Sequence, residues 1–269
     1  MVTHALYVIA ALGCLLVSLF VVARWYEGKA MFEPSRKHLL TPQGVGLPPP
    51  MEIFIDSGGA KIHAWFFARD LSAPTLLYIH GNAGNAADRL PVIKGYLDLG
   101  LNVFIYDPRG YGKSEGKATP GNFMADAFTA YRHLTEKRGI DPSAIVVLGQ
   151  SLGGMAALRL ANSVKCKGLA LEGTFVSVRQ LVKDLHPKIP VWLLVTSCQD
   201  NEREIRKLKV PVLLIFGTMD GTIPTYHSKR LFKAAHQPCE LLEVKGAGHT
   251  DMYMVAPKLY YGAIARFAK

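Results

Sequence analysis

The sequence predicts an α/β fold, with a mostly parallel central sheet covered by helices on both faces, and two observations carry that expectation. From residue 75 onward, short predominantly apolar runs (76–79, 102–106, 145–148, 168–171, 212–216 and 240–244) alternate with longer segments at helical spacing, such as 123–137, 155–163 and 226–235. An apolar run without period-two alternation is the signature of a strand buried on both faces, and alternation with helices implies parallel neighbours. The composition agrees: 49% hydrophobic and 19% charged residues supply a packed core and exclude a disordered chain.

The elements follow in order. Residues 5–23 form a 19-residue apolar stretch, interrupted only by Gly13 and Ser18 and free of formal charge. That length suits an N-terminal transmembrane helix over residues 1–24. A cleaved secretory signal is the rival, disfavoured because the run is long and Met1–His4 holds no Lys or Arg. Arg24, Lys29, Arg36 and Lys37 follow the stretch, so the positive-inside rule puts the remainder of a single-pass protein on the cytoplasmic side; a secreted, periplasmic or lumenal domain is the alternative. Residues 25–50, ending in Leu47-Pro48-Pro49-Pro50, read as a juxtamembrane linker, and residues 51–269 as one catalytic domain. The domain opens with a β-hairpin, 52–56 and 61–68 around Ser57-Gly58-Gly59.

The chain is organised around Val146–Met155, written VVLGQSLGGM. A buried-type strand runs into G-x-S-x-G and then into a helix-compatible run, the pattern of a sharp turn that holds a serine at its tip. A serine hydroxyl is a weak nucleophile and needs a base, which in turn needs a carboxylate to orient it. Among nine histidines, His249 in Lys245-Gly246-Ala247-Gly248-His249 stands just beyond the last strand, where glycines allow a close approach. Asp220 follows the strand 212–216, at the edge where open α/β sheets collect their ligands; Glu172 is the fallback acid. Oxyanion donors are expected from the backbone N–H groups of Leu152, which follows the serine, and of Asn82, in the loop after the first central strand. Residues 174–209 form the one long insertion between strands and read as a small cap, with Phe175, Leu181 and Trp192 as candidate pocket residues; two plain crossover helices would fill the same length.

Other classes drop out. A net charge of +10 suggests an anionic partner, yet no basic stripe interleaved with aromatics supports nucleic acid. Gly112-Lys113-Ser114 mimics a phosphate-binding loop, but its required earlier glycine is Asp107. No metal-ligand spacing of the His-E-x-x-His type occurs, so neither metal nor cofactor is expected. Four cysteines, Cys14, Cys166, Cys198 and Cys239, show no C-x-x-C pair and read as free thiols.

HGNAGN at 80–85, DPRGYGKSEG at 107–116, GQSLGG at 149–154, GTMDGTIP at 217–224 and GAGH at 246–249 together resemble the α/β-hydrolase superfamily. More narrowly they are similar to its membrane-anchored α/β-hydrolase domain-containing members, close to serine aminopeptidases and prolyl-oligopeptidase-like hydrolases. The resemblance covers about residues 51–269 and implies a Ser-His-Asp hydrolase of esters or thioesters, with lipid-like acyl groups or acylated proteins among the substrates. A serine peptidase or aminopeptidase is the alternative, as is a non-catalytic membrane scaffold on the same fold.

Overall fold

The protein is described by a computed structural model that covers residues 31–197 and 199–269, with isolated positions between 7 and 29. The expected transmembrane segment falls largely outside the described residues, and among those described no helix is long and apolar enough to cross a membrane.

Eight strands form one sheet: β1 Met51–Asp56, β2 Lys61–Phe67, β3 Thr75–Ile79, β4 Asn102–Tyr106, β5 Ile145–Gln150, β6 Gly168–Glu172, β7 Val212–Gly217 and β8 Cys239–Val244. Their order across the sheet is β8-β7-β6-β5-β3-β4-β2-β1. The first hairpin, β1–β2, is antiparallel, and β2 joins the sheet antiparallel to β4. All remaining pairs are parallel. The parallel central strands, β3 to β7, are buried at every position, as their unbroken apolar runs require.

Side-chain alternation divides the interior into two cores. On β5, Ile145 and Val147 face one and Val146 and Leu148 the other. Helices α2 Pro120–Arg132, α3 Gly153–Ser163, α5 Asn201–Ile205 and α6 Tyr226–Ala234 cover the first face, while α1 Leu90–Asp98, α7 Met252–Val255 and α8 Pro257–Ala268 cover the second. Local chemistry starts these helices. Thr119 accepts a hydrogen bond from the Asn122 N–H at 3.1 Å ahead of Pro120 at the first position of α2.

Two departures from the sequence reading matter for the site. Residues 31–50, expected as a linker, are laid onto the domain. Glu33–Pro34 pairs in parallel with Ala83–Gly84, and Phe32 and Leu47 are each 6% exposed. The backbone supplies the reason: Glu33 N–H donates to Asn82 O at 3.1 Å, Ser35 N–H to Gly84 O at 3.0 Å, and Gly112 N–H to Ser35 O at 2.8 Å. The insertion 174–209 holds a short helix, a 3₁₀ turn and a second short helix. Helix α5 is a crossover helix packed on α3 and α6, whereas α4 Val178–Leu185 and the 3₁₀ turn Pro190–Leu194 pack chiefly on each other and form a cap. A bridge between Ser177 and Asp200 closes the base of this cap.

The sheet and α3 meet so closely that a β-carbon on Gly153 would lie 2.1 Å from Ile79 O and 2.6 Å from His80 O, both rigid backbone atoms. Gly121, in the first turn of α2, has nothing within 4 Å. Gly153→Ala should therefore destabilise the protein by about 3 kcal/mol or more, while Gly121→Ala should stabilise it by about 0.5–1 kcal/mol. Urea unfolding of the two variants checks both signs.

Candidate active site

Ser151 sits where β5 gives way to α3. Its φ is 51°, the only left-handed backbone among the described non-glycine residues. Three bonds hold it there: its N–H donates to Glu172 O at 2.7 Å, and its carbonyl accepts from Thr174 Oγ1 at 2.8 Å and from Gly154 N–H at 3.0 Å. Bare glycines make the turn possible. A β-carbon on Gly149 would meet Ala157 Cβ at 2.6 Å, and one on Gly154 would meet Thr174 Oγ1 at 2.3 Å.

Asp220 and His249 are brought together. His249 Nδ1 lies 2.7 Å from Asp220 Oδ2, with the carboxylate side chain 2% and the imidazole 16% exposed. The other carboxylate oxygen, Oδ1, accepts from the N–H groups of Thr222 and Ile223, each at 2.8 Å. Burial works to raise this carboxyl, but the bonds from His249, Ile223 and Thr222 prevail and hold it below the usual carboxylate range. The imidazole lies beside Gly173, the residue after β6. A β-carbon on Gly173 (φ 54°) would stand 3.1 Å from both His249 Nδ1 and Cε1, and its neighbour Glu172 is the residue whose carbonyl takes the Ser151 N–H. Imidazole and serine thus flank the same two residues at the end of β6.

The fallback acid, Glu172, is occupied elsewhere. Fully buried, it accepts from Tyr260 OH at 2.8 Å and Gln150 Nε2 at 3.1 Å, and burial pushes its carboxyl upward. Asp251 accepts the Gly248 N–H at 2.7 Å and so braces the loop that carries His249.

The loop that carries Asn82 passes close to the serine. Gly81 runs so near that its absent β-carbon would be 3.2 Å from Ser151 Cβ. Neither the Asn82 nor the Leu152 amide donates to an acceptor among the described residues, whereas Asn82 O is held by Glu33 N–H at 3.1 Å and by Tyr111 OH at 2.6 Å. His80 pins the loop from inside: Nδ1 lies 2.8 Å from Gly81 O, and its buried Nε2 has no partner among the described residues. Burial pushes His80 down to about 4, so the ring is neutral near pH 7.

One cluster escaped sequence reading because its members lie far apart in the chain. His38 Nε2 and His63 Nδ1 both bond to Asp107 Oδ2, at 2.8 and 2.9 Å, and Asp107 Oδ1 accepts Ala86 N–H at 2.8 Å. Burial opposes ionisation of Asp107, yet these bonds hold it well below the usual carboxylate range. The three residues are types that ligate metals and their donor atoms lie within 4.8 Å of one another. Their hydrogen bonds account for the arrangement, and Gly112 crowds it: a β-carbon there would sit 2.1 Å from Asp107 Oδ2. The candidate pocket residues are spread out. Phe175 is buried in the core, Leu181 packs against it, and Trp192 is half-buried with Lys183 Nζ 5.4 Å from its ring centroid. His227, on α6, fastens the cap: its Nδ1 accepts Val176 N–H at 3.2 Å, and Nε2 lies 2.9 Å from Asp184 Oδ2 without hydrogen-bond geometry.

Comparison with known proteins gives a consistent picture. A family model described as the alpha/beta hydrolase fold matches residues 74–194. The chain is 30% identical over 293 residues to the alpha/beta hydrolase domain-containing protein WAV2 of Arabidopsis thaliana, covering 99% of this chain and 95% of that protein. It is 30% identical over 219 residues to the uncharacterized membrane protein YNL320W of Saccharomyces cerevisiae, covering 79% and 75% of the two. Among solved structures, a Pyrococcus furiosus esterase, Pf2001, superposes with a TM-score of 0.73 at 21% identity, over 88% of this chain and 97% of its own, a likeness of fold.

The buried neutral His80 makes a pH prediction. Its folded value of about 4 lies below the unfolded 6.5, so between these the unfolded chain binds the extra proton and stability falls as pH drops. The loss reaches about 3 kcal/mol. Urea unfolding at pH 7, 5.5 and 4 should show this slope, and His80→Gln should flatten it; parallel curves for the two proteins would refute the assignment.

Proposed function

This chain belongs to the alpha/beta hydrolase family, and on that premise we propose that it is a membrane-anchored serine hydrolase that cleaves a carboxylic ester or thioester through an acyl-enzyme. The observation that carries the reading is the Asp220–His249 hydrogen bond of 2.7 Å, set against the Gly173 segment that also holds the strained Ser151.

The chemistry follows from hydrogen placement. Asp220 accepts Nδ1–H, which leaves Nε2 of His249 with a lone pair. Ser151 Oγ adds to the substrate carbonyl carbon as its proton passes to Nε2. The carbonyl π pair moves onto oxygen, and the Leu152 and Asn82 N–H groups stabilise that oxyanion, at about 2.7–4 kcal/mol per donor. Collapse breaks the bond to the leaving alkoxide or thiolate, which takes the proton from His249. Water then repeats the sequence on the acyl-serine, with His249 as base and then acid, and releases the carboxylate.

The less exposed side chains of the cap, Leu181 and Trp192, together with Phe175 favour an acyl substrate, and the 5–23 stretch together with the membrane-protein name of the yeast relative favours a tether. A fluorophosphonate probe should label the wild-type chain and leave Ser151→Ala unlabelled. Asp220→Asn should keep the fold and lower kcat by about 10⁴-fold, because it favours the wrong imidazole tautomer. With p-nitrophenyl esters, kcat/KM should rise with acyl length; equal rates for acetate and decanoate would remove the acyl-pocket reading. A wild-type protein that the probe fails to label would favour the non-catalytic scaffold.

A further inference from the structure

The parallel strands all end on one rim, so the segments that follow them share that rim. Apolar side chains are left uncovered there. Leu185, Ile189, Leu193 and Leu194 of the cap are 50–59% exposed. Met219, beside Asp220, is 71% exposed, and Met254, five residues after His249, is 67% exposed. Exposed Lys183 and Lys188 lie within the same cap stretch. Large apolar side chains interspersed with lysines are the surface chemistry of elements that lie in a membrane interface carrying anionic lipid.

The chain's entry point supplies the second, independent observation. Glu33 and Ser35 are bonded to the loop 82–84, which follows β3 on this same rim. Ten residue steps separate Ala23, the end of the apolar stretch, from Glu33. Fully extended, those steps cover at most about 34 Å. A domain of this size is roughly 45 Å across. A span over residues 5–23 would therefore hold the rim, and not its opposite face, against the bilayer.

We propose that this rim is a membrane-docking surface: residues 185–194, with Met219 and Met254, rest in the headgroup region of a bilayer containing anionic lipid, and the mouth of the Ser151 site opens onto it. The proposal rests on the reading of residues 5–23 as a membrane anchor and extends the acyl-ester reading to a substrate drawn from the lipid phase. The apolar side chains lose water contact on docking, and the lysines meet phosphate. The N-terminal arm fixes the distance at which both happen.

The test uses the full chain reconstituted in vesicles of phosphatidylcholine with one-fifth phosphatidylglycerol. Trp25→Phe leaves Trp65, which is buried, and Trp192 in the cap. Emission attributable to Trp192, obtained by difference from the chain that also carries Trp192→Phe, should be quenched when the vesicle lipid is brominated. In parallel, L185S/I189S/L193S/L194S, all at exposed positions, should lose at least tenfold in hydrolysis of a long-chain ester embedded in the vesicles. Its hydrolysis of p-nitrophenyl acetate in water should stay unchanged. Absence of quenching would overturn the proposal, whether the cap then proved covered by a second copy, by residues 5–23, or by water alone. So would equal loss of both activities in the quadruple variant. A wild-type chain inactive on both esters defeats the hydrolase reading instead, and the quenching result still decides the docking.

Discussion

The strained turn at Ser151 is the constraint to which the rest of the molecule conforms. Left-handed backbone costs a residue with a β-carbon about 1–2 kcal/mol. It persists here because β6 holds Ser151 through Glu172 O and Thr174 Oγ1, while α3 closes underneath through Gly154 N–H. Each of these partners has a steric condition attached. Gly153 must be bare because β3 carbonyls lie where its β-carbon would go, and Gly154 must be bare because Thr174 does. Sheet order follows from this, since β3 and β6 can both reach the turn only by flanking β5, and they do.

Beside that turn, the carboxylate shows why structural and chemical roles need not compete. An aspartate after a strand is well suited to capping its own loop, and Asp220 does so through Thr222 and Ile223. Those bonds occupy Oδ1 and leave Oδ2 aimed at His249. They also keep the group ionised against its burial, the state in which a carboxylate can stabilise a neighbouring imidazolium in the reaction proposed here. The turn is the means by which the acid is oriented. Glu172 shows the opposite outcome: its two oxygens are taken by Tyr260 and Gln150, and it is buried beyond use as a free acid.

Much of this was legible in the sequence, for a physical reason. Strands 103–106 and 145–148 announce themselves by continuous apolarity, and Ser151, Asp220 and His249 each sit beside a strand end within glycine-rich turns, so local pattern and position coincide. The arm at 31–50 was not legible as part of the domain, because it binds through backbone groups, which carry no side-chain signature, and buries only isolated side chains such as Phe32 and Leu47. Helix α1 hides for a related reason. Pro91 and Gly95 interrupt its pattern, and Gly95 is small because the Tyr261 ring fills the space of its β-carbon at 2.1 Å. The His38–His63–Asp107 cluster has no spacing to find, since tertiary folding alone assembles it.

That cluster and the arm bear on the same loop, and the consequence concerns how hydrogen-bond donors come to be ready. The bonds that hold residues 80–86 include His80 Nδ1 to Gly81 O, Tyr111 OH and Glu33 N–H to Asn82 O, Ser35 N–H to Gly84 O, and Ala86 N–H to Asp107. Every one of these satisfies a backbone group other than the Asn82 N–H. A donor left free in a loop fixed on all sides needs no reorganisation when negative charge develops nearby, which is the condition under which such donors stabilise a transition state most. Because Glu33 and Ser35 donate two of these bonds and Ser35 and Lys37 accept two more from Asn85, the arm at 31–50 belongs to the loop's rigidity as much as the sheet does.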